Sequence, residues 1–381
     1  MYNMKRKIAV TTGTRAEYGI LRPLLKKISD SKKLELILIV TGTHLSKKYG
    51  MTINEIRKDG FRISAKFEMM PKGDSPYHMS ESLGEGIIKF SKIFQKIKPD
   101  INLVLGDRDE PFASAIAASH MNIPNAHIHG GETSQSIDEY IRHAITKMSN
   151  IHFAVTKKSK ERIVKMGEDP KFVFLTGSPS IDEVISQRIT TKIELERKYN
   201  VSLDNLILLV QHSITSQHNQ SQKEIKNTLD AIISFNKNII AILPNSDAGS
   251  SKILKTLKEY SKKYKLLKIF PSLPRSDYLG ILQNCNVLVG NSSSGVIEGS
   301  CFNTPIVNVG TRQKGRERGA NVIDAKNDKS AISHAVKIAL KSKPHNRRSF
   351  IFGKGDASAR IVKILETIKI DKKLIQKQIT Y

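Results

Sequence analysis

Short aliphatic runs alternate with longer amphipathic stretches along most of the chain. Residues 8–12, 34–40, 103–105, 151–155 and 172–175 read as buried strands of the first half. A further short strand after Pro124 carries His127 and His129. Residues 206–210, 239–243, 267–270, 287–289 and 305–309 read as strands of the second half. Between them the apolar period lengthens. Leu21, Leu24, Leu25 and Ile28 recur at helical spacing and predict a helix over about 20–29, with Pro23 in its first turn. Further helices are predicted through Ile97, after Glu110, and over 137–148, 221–237, 250–264 and about 357–368. Residues 71–86 mix Pro, Gly, Ser and His and read as a mobile loop entering a helix. Residues 185–203 are charged, lack an apolar stripe and read as an inter-domain connector.

Strands separated by helices occur twice over. Right-handed crossovers make parallel sheets the expected outcome. The pattern predicts an α/β protein of two doubly wound domains facing a cleft, over residues 1–185 and 186–356. The final segment, about 357–381, is expected to cross back onto the first domain. A length of 381 residues also favours two cores over one.

Charge widens the field before narrowing it. Lys and Arg number 62 against 36 acids, a formal +26, which points to nucleic acid, an anionic surface or a phosphorylated substrate. The lysines are scattered (Lys26, Lys27, Lys157, Lys158, Lys262, Lys263), with no basic arm and no interleaved aromatics. Nucleic acid is therefore not an expected partner, and a polyanion-binding protein is retained only as the alternative from a different class. Cys285 and Cys301 have no CxxC spacing, so neither a disulfide framework nor a thiolate zinc site is expected. The basic N-terminus runs into a short strand instead of a leader's apolar region, and no run nears the roughly 18 apolar residues of a membrane span. A cytoplasmic protein without membrane insertion is the expectation.

Candidate chemistry gathers where strands stop, as parallel α/β folds arrange it. Asp107 directly follows a strand, and Asp109 or Glu110 caps the next helix. His127 and His129, two apart, point to one strand face, ahead of Gly130-Gly131-Glu132. Asp138 with Arg142, and Glu139 with His143, are spaced as helical i,i+4 pairs. His212 ends a strand of the second half. Gly13-Thr14-Arg15 lies between strand and helix without a dinucleotide fingerprint. A Ser292-Ser293-Ser294-Gly295 loop opening a helix offers hydroxyls and free N–H groups to a phosphate, with Glu298 one turn in as acceptor for a ribose diol. Arg312, Lys314 and Arg316 follow the next strand on the same rim. The His and acid spacings match no closed zinc pattern, so no metal is expected.

Taken together, GTRAEYGILRPLL at 13–25, GDRDE at 106–110, HIHGGE at 127–132, DEYIRHAITKMSNIHF at 138–153, GNSSSGVIE at 290–298 and RQKGRERGA at 312–320 resemble the hydrolysing UDP-N-acetylglucosamine 2-epimerases of bacterial sialic-acid biosynthesis. The motifs occur in the family's order over nearly the whole chain. The resemblance implies the two-domain GT-B arrangement shared with one class of nucleotide-sugar glycosyltransferases. It implies conversion of UDP-GlcNAc and water to N-acetylmannosamine and UDP through 2-acetamidoglucal, without cofactor, in a homo-oligomer, dimer or tetramer. Alternatives are the corresponding reaction on a UDP- or GDP-linked 2,4-diacetamido-2,4,6-trideoxyhexose (N,N'-diacetylbacillosamine) in legionaminic-acid synthesis, and a glycosyltransferase. By motif, Asp107 and Asp138 carry over as catalytic carboxylates, with His129, Glu132 and His212 as further catalytic candidates. His212, Ser292, Ser293, Ser294, Glu298, Arg15, Arg312 and Arg316 carry over as substrate contacts. Residues 270–275, with Arg275, mark the expected uracil pocket.

Overall fold

The structure is a computed structural model that describes residues 5–186, 189–342 and 349–380. Two parallel sheets organise it. The first has strands β1 (Arg6–Thr12), β2 (Leu34–Val40), β3 (Ile63–Lys66), β4 (Ile101–Leu105), β5 (Asn125–Ile128), β6 (Ile151–Ala154) and β7 (Val173–Leu175), in the order β3-β2-β1-β4-β5-β6-β7. The second has β8 (Leu206–Val210), β9 (Asn238–Ile242), β10 (Leu267–Phe270), β11 (Val287–Gly290), β12 (Ile306–Val309) and β13 (Val322–Ala325), in the order β10-β9-β8-β11-β12-β13. Each sheet reverses its winding once, between β1 and β4 and between β8 and β11. The loops leaving those four strands therefore diverge and open a crevice at each switch point. These loops carry Gly13, Asp107, His212 and Asn291. Two Rossmann-like domains face one another across the cleft so formed.

The central strands are buried on both faces, which is why they read as uninterrupted aliphatic runs: all five residues of β4 and of β8 are buried. Where the pattern was less pure, the structure departs from the sequence reading. The first helix spans Arg15–Asp30, beginning five residues early, because Thr14 and Glu17 close a capping box. Pro23 consequently lies inside that helix and not in its first turn. Residues 71–86 are mostly helix: Pro76 occupies the first turn of Pro76–Ile97, the position proline favours. Its 22-residue length was hidden by Gly84 and Gly86 and the polar start. The connector over 185–203 contains the helix Lys192–Tyr199, whose Leu195 is buried in the second domain's core. The strands β3 and β13 were missed because each is short and lies at a sheet edge, with few buried positions.

The last helices return to the first domain. Ile361, Leu365 and Leu374 are buried in the same cluster as Ile8, Val10, Leu21 and Leu25. Arg6 donates to the Leu365 carbonyl, and Lys377 reaches Glu168 at 2.6 Å.

Gly290 ends β11 with φ 138°, and a Cβ there would stand 2.1 Å from the Val210 carbonyl oxygen. The β8–β11 crevice thus depends on two backbones in contact. Gly290→Ala is expected to destabilise the protein by about 2–5 kcal/mol through strain and overpacking. A urea midpoint equal to that of the parent would show that this contact is dispensable.

Candidate active site

The first-domain wall is built around Arg142, which is 1% exposed. It projects from the helix Ile137–Met148 and donates to the Glu132 carbonyl at 3.0 Å, Ser134 Oγ at 3.1 Å, Glu139 Oε2 at 3.2 Å and Asp107 Oδ2. Burial by itself would raise the Asp107 carboxyl. The Arg142, Arg316 and Arg312 guanidinium groups outweigh it and hold Asp107 below its ordinary value. Asp107 is thereby kept as a carboxylate, a proton acceptor. The expected Asp138–Arg142 helical pair does not form. Arg142 points inward to Asp107, whereas Asp138, in the first turn, reaches across the cleft to Arg312 Nη2 at 2.9 Å. The Glu139–His143 pair does form, at 3.0 Å.

The two histidines expected on one strand face have separate roles. His127 lies in β5, fully buried, its Nε2–H donating to the Gly106 carbonyl at 2.8 Å. Burial drives its pKa down to about 3, so it is a neutral prop beneath the turn that presents Asp107. His129 lies beyond the strand in the left-handed region, φ 68°, so strand alternation does not govern it. Its Nδ1 meets Glu132 Oε1 at 2.7 Å and its Nε2 meets Ser178 Oγ at 2.9 Å. The other Glu132 oxygen meets Arg316 from the second domain at 2.6 Å. Burial opposes ionisation of Glu132, but Arg316 and His129 override it and hold the carboxyl far below the usual range. His129 and Glu132 thus form a buried relay between domains, with the side-chain acceptors and ring nitrogens already engaged.

The second-domain wall presents donors. His212 Nδ1 accepts from the Asn245 N–H at 3.3 Å, which puts the ring proton on Nε2. Burial, reinforced by Arg312, lowers its pKa to about 3, so it is a neutral donor. Ser292 caps the helix Ser293–Ile297 without using its hydroxyl. Ser294 is tied to Tyr278 at 2.5 Å and to Glu298. Glu298 is 2% exposed and gripped by both Arg275 terminal nitrogens. It stands behind the cavity wall and does not offer the open acceptor the sequence suggested. Arg275 also binds Glu183 at 3.1 Å. Arg312 donates to the Asn291 carbonyl at 3.2 Å as well as to Asp138, so it spans both walls.

A cavity lies between the second-domain wall and the start of the first helix. Arg15, His212, Ser292, Ser294 and Arg275 line it, and Leu243, Pro244, Pro271 and Leu273 add an apolar end. Arg15 is at its helix start, paired with Glu55 at 2.6 Å. Glu17, below that loop, accepts from the Gly13 and Thr14 N–H groups at 2.9 Å. Burial first, and then Glu110, push Glu17 up to about 8, against the Gly13 and Thr14 N–H groups that favour its carboxylate. Sequence reading missed Glu17, the half-buried Arg108–Asp247 bridge at 3.3 Å across the cleft, and Tyr49 on the cavity wall. The arginine of GDRDE was the available signal for the bridge. Among the described residues no group of three or more His, Cys, Asp or Glu could hold a metal ion, and no helix is long and apolar enough to cross a membrane.

The family profile described as UDP-N-acetylglucosamine 2-epimerase matches residues 26–366. The chain is 38% identical over 375 residues to UDP-N,N'-diacetylbacillosamine 2-epimerase (hydrolyzing) of Legionella pneumophila, covering 98% of this chain and 99% of that protein. It is 40% identical over 342 residues to polysialic acid biosynthesis protein P7 of Escherichia coli, covering 89% and 87%. The crystal structure of Methanocaldococcus jannaschii UDP-GlcNAc 2-epimerase in complex with UDP-GlcNAc and UDP shares the fold, with a TM-score of 0.80 and 21% identity over 94% of this chain and 99% of that one.

Arg142→Met keeps the aliphatic stem but strands Asp107 and Glu139 without their cation. A loss of about 3–5 kcal/mol is expected, the cost of leaving buried charges unpaired. Urea titration at constant pH measures it, and a change below 1 kcal/mol would remove Arg142 from the centre of the wall.

Proposed function

The chain belongs to the UDP-N-acetylglucosamine 2-epimerase family, and from that premise we propose that it is a hydrolysing 2-epimerase acting on a UDP-linked 2,4-diacetamido-2,4,6-trideoxyhexose, UDP-N,N'-diacetylbacillosamine. The observation that carries the reaction class is the opposition of a donor-lined cavity to a wall of carboxylates. The near full-length similarity to the Legionella pneumophila enzyme supports the diacetamido sugar over the UDP-GlcNAc expected first.

In this reading the apolar end near Pro271 and Leu273 takes uracil, and Arg275 and Ser294 border the ribose. His212 Nε2–H, Ser292, Arg15 and Arg312 meet the diphosphate. Their donors stabilise charge developing on the leaving group, the term that dominates many such reactions. Asp107, kept ionised by Arg142, removes the C2 proton as the C1–O bond to UDP breaks, leaving a C1–C2 double bond. Asp138 orients the water that adds to C1. A proton then returns to C2 on the opposite face, giving the free 2-epimer and UDP. Phosphate oxygens entering beside Arg312 compete with Asp138 for that guanidinium, so substrate binding itself would release Asp138 for its role.

UDP-GlcNAc as substrate is the second reading, favoured by the Escherichia coli relative whose name places it in polysialic acid biosynthesis. Incubating the purified protein with each UDP-sugar and following 31P and 1H NMR separates the two. UDP and a free sugar with inverted C2 should appear from the diacetamido substrate. A product that retains UDP, or a requirement for an acceptor, would replace the proposal with a non-hydrolysing epimerase or a transferase. Salt-sensitive polyanion binding without turnover would replace it with a binding protein. Asp107→Asn should keep the fold and UDP binding while lowering turnover about 10²–10⁴-fold, the usual contribution of general acid–base catalysis. Near-normal turnover would take the base assignment from Asp107.

A further inference from the structure

His212 can offer its Nε2–H to a departing diphosphate only while its ring is held one way round. Its backbone and its ring are held by different segments. Asn291 fixes the backbone, accepting from the His212 N–H at 2.7 Å and donating to its carbonyl at 2.9 Å. Among the described residues the ring makes one hydrogen bond, accepting at Nδ1 from the Asn245 N–H at 3.3 Å. Asn245 belongs to the loop of residues 243–249, whose Leu243, Pro244 and Asn245 line the cavity. Whatever fixes this loop therefore fixes the ring.

Two ties come from the loop's own domain. Leu243 donates to the Phe270 carbonyl at 3.0 Å, and Ser213 Oγ donates to the Ala248 carbonyl at 2.5 Å. Two more come from the first domain. Arg108 holds Asp247 at 3.3 Å, and Asp74 accepts from the Gly249 N–H at 2.7 Å and from Ser251 Oγ. The second of these fills a gap. Gly249 is the N-cap of the helix Ser250–Lys263 and supplies no side-chain cap. It could not carry one, since its φ is 88° and a Cβ would stand 2.5 Å from Ser221 Oγ. In a capping box an acid on the helix itself accepts from the N-cap N–H. Here the acid comes from the other domain, and its charge suits the positive end of the helix dipole.

Asp74 is braced in turn. It lies just before the helix Pro76–Ile97, where Lys72 meets Glu85 at 2.9 Å and Ser75 Oγ lies 2.7 Å from His78 Nδ1. The stretch whose composition reads as a mobile loop is thus tied to its own helix and reaches across to the second domain.

We propose that Asp74 is a positioning residue for departure of the diphosphate: as the missing capping acid of Ser250–Lys263, it holds loop 243–249 from across the cleft and so keeps the His212 ring in place. The inference rests on the 2-epimerase reading above, in which His212 meets the diphosphate. It makes that donor a property of both domains together. With the cleft apart, the second domain keeps its sheet and the apolar end of its cavity but loses this brace on the ring.

Asp74→Ala tests this. Asp74 is exposed, so its truncation leaves both cores intact. The kcat for UDP release should fall about tenfold, as for a slight misplacement of a group at the reacting centre, with KM within about twofold of the parent. Asp74→Asn still accepts from the Gly249 N–H and should keep most of the parent's kcat. In a His212→Ala background Asp74→Ala should cost nothing further, because the two act as one unit. With nitrogen-15-labelled histidine, the His212 ring signals should be well separated in the parent, as a fixed Nε2–H tautomer requires, and should draw together in Asp74→Ala. A parent-like kcat, a full further loss in the His212→Ala background, or unchanged ring signals would each overturn the proposal. Should Asp74→Ala not fold, Ser251→Ala removes one of the two donors and is judged on the same signals, with a smaller loss of kcat expected. If the parent releases no UDP from either nucleotide sugar, the 2-epimerase reading fails, while the His212 ring signals still decide the positioning role.

Discussion

A guanidinium sealed from water is costly unless its donors find partners; the two terminal nitrogens of Arg142 find four different groups, while its buried Nε finds none. The solution dictates the wall around it. The Glu132 carbonyl and Ser134 must lie on its near side, which fixes the Gly130-Gly131-Glu132 turn. Gly131 has φ 71° there, and a Cβ would meet the Ser159 carbonyl oxygen at 2.4 Å. Asp107 must arrive from β4, and His127 holds that turn from below. Thr146, one helical turn after Arg142, lies 3.2 Å from His127 Nδ1. Three segments distant in sequence are thus locked into one surface by a single cation and its satisfied acceptors.

The cleft extends the same logic across the domains. Arg108–Asp247, Arg312–Asp138 and Arg316–Glu132 each join the two sheets. Asp74 adds another tie, accepting from the Gly249 N–H at 2.7 Å and from Ser251. Ion pairs at a partly wet cleft contribute little net stability each, but they hold cations where an incoming anion will want them. A diphosphate therefore finds arginines already placed and charged, with carboxylates as occupants to be displaced. Positioning the donors before the ligand arrives avoids their reorganisation during reaction.

The architecture was legible because buried parallel strands leave an unambiguous trace: β1, β2, β4, β8, β9 and β11 stand out as aliphatic runs. Helix limits were less so. The Arg15 start depends on a capping box, and Pro76–Ile97 begins in residues whose composition imitates a loop. The strand-end motifs marked loops that the fold brings to one cleft: Asp138 meets Arg312 across it, and His212, Ser292 and Arg15 line its cavity. What the sequence could not carry was partnership. Spacing paired Arg142 with Asp138, but depth in the fold paired it with Asp107. Alternation put His129 beside His127, but a single left-handed residue turned it toward Glu132 and Ser178. Glu298 looked open because nothing in its neighbourhood announces Arg275, which comes from another helix.

The return of Ile361, Leu365 and Leu374 to the first domain has a consequence for how the protein is made. The ribosome delivers β1 through β7 early, yet the face formed by Leu21 and Leu25 is completed only by Ile361, Leu365 and Leu374, which follow the whole second domain. At about 5–20 residues per second, that delay is roughly 10–40 s. The second domain is synthesised entirely within it. Birth order and completion order are therefore reversed: the domain begun first is finished after the second, and its apolar face lacks this cover until Ile361, Leu365 and Leu374 emerge.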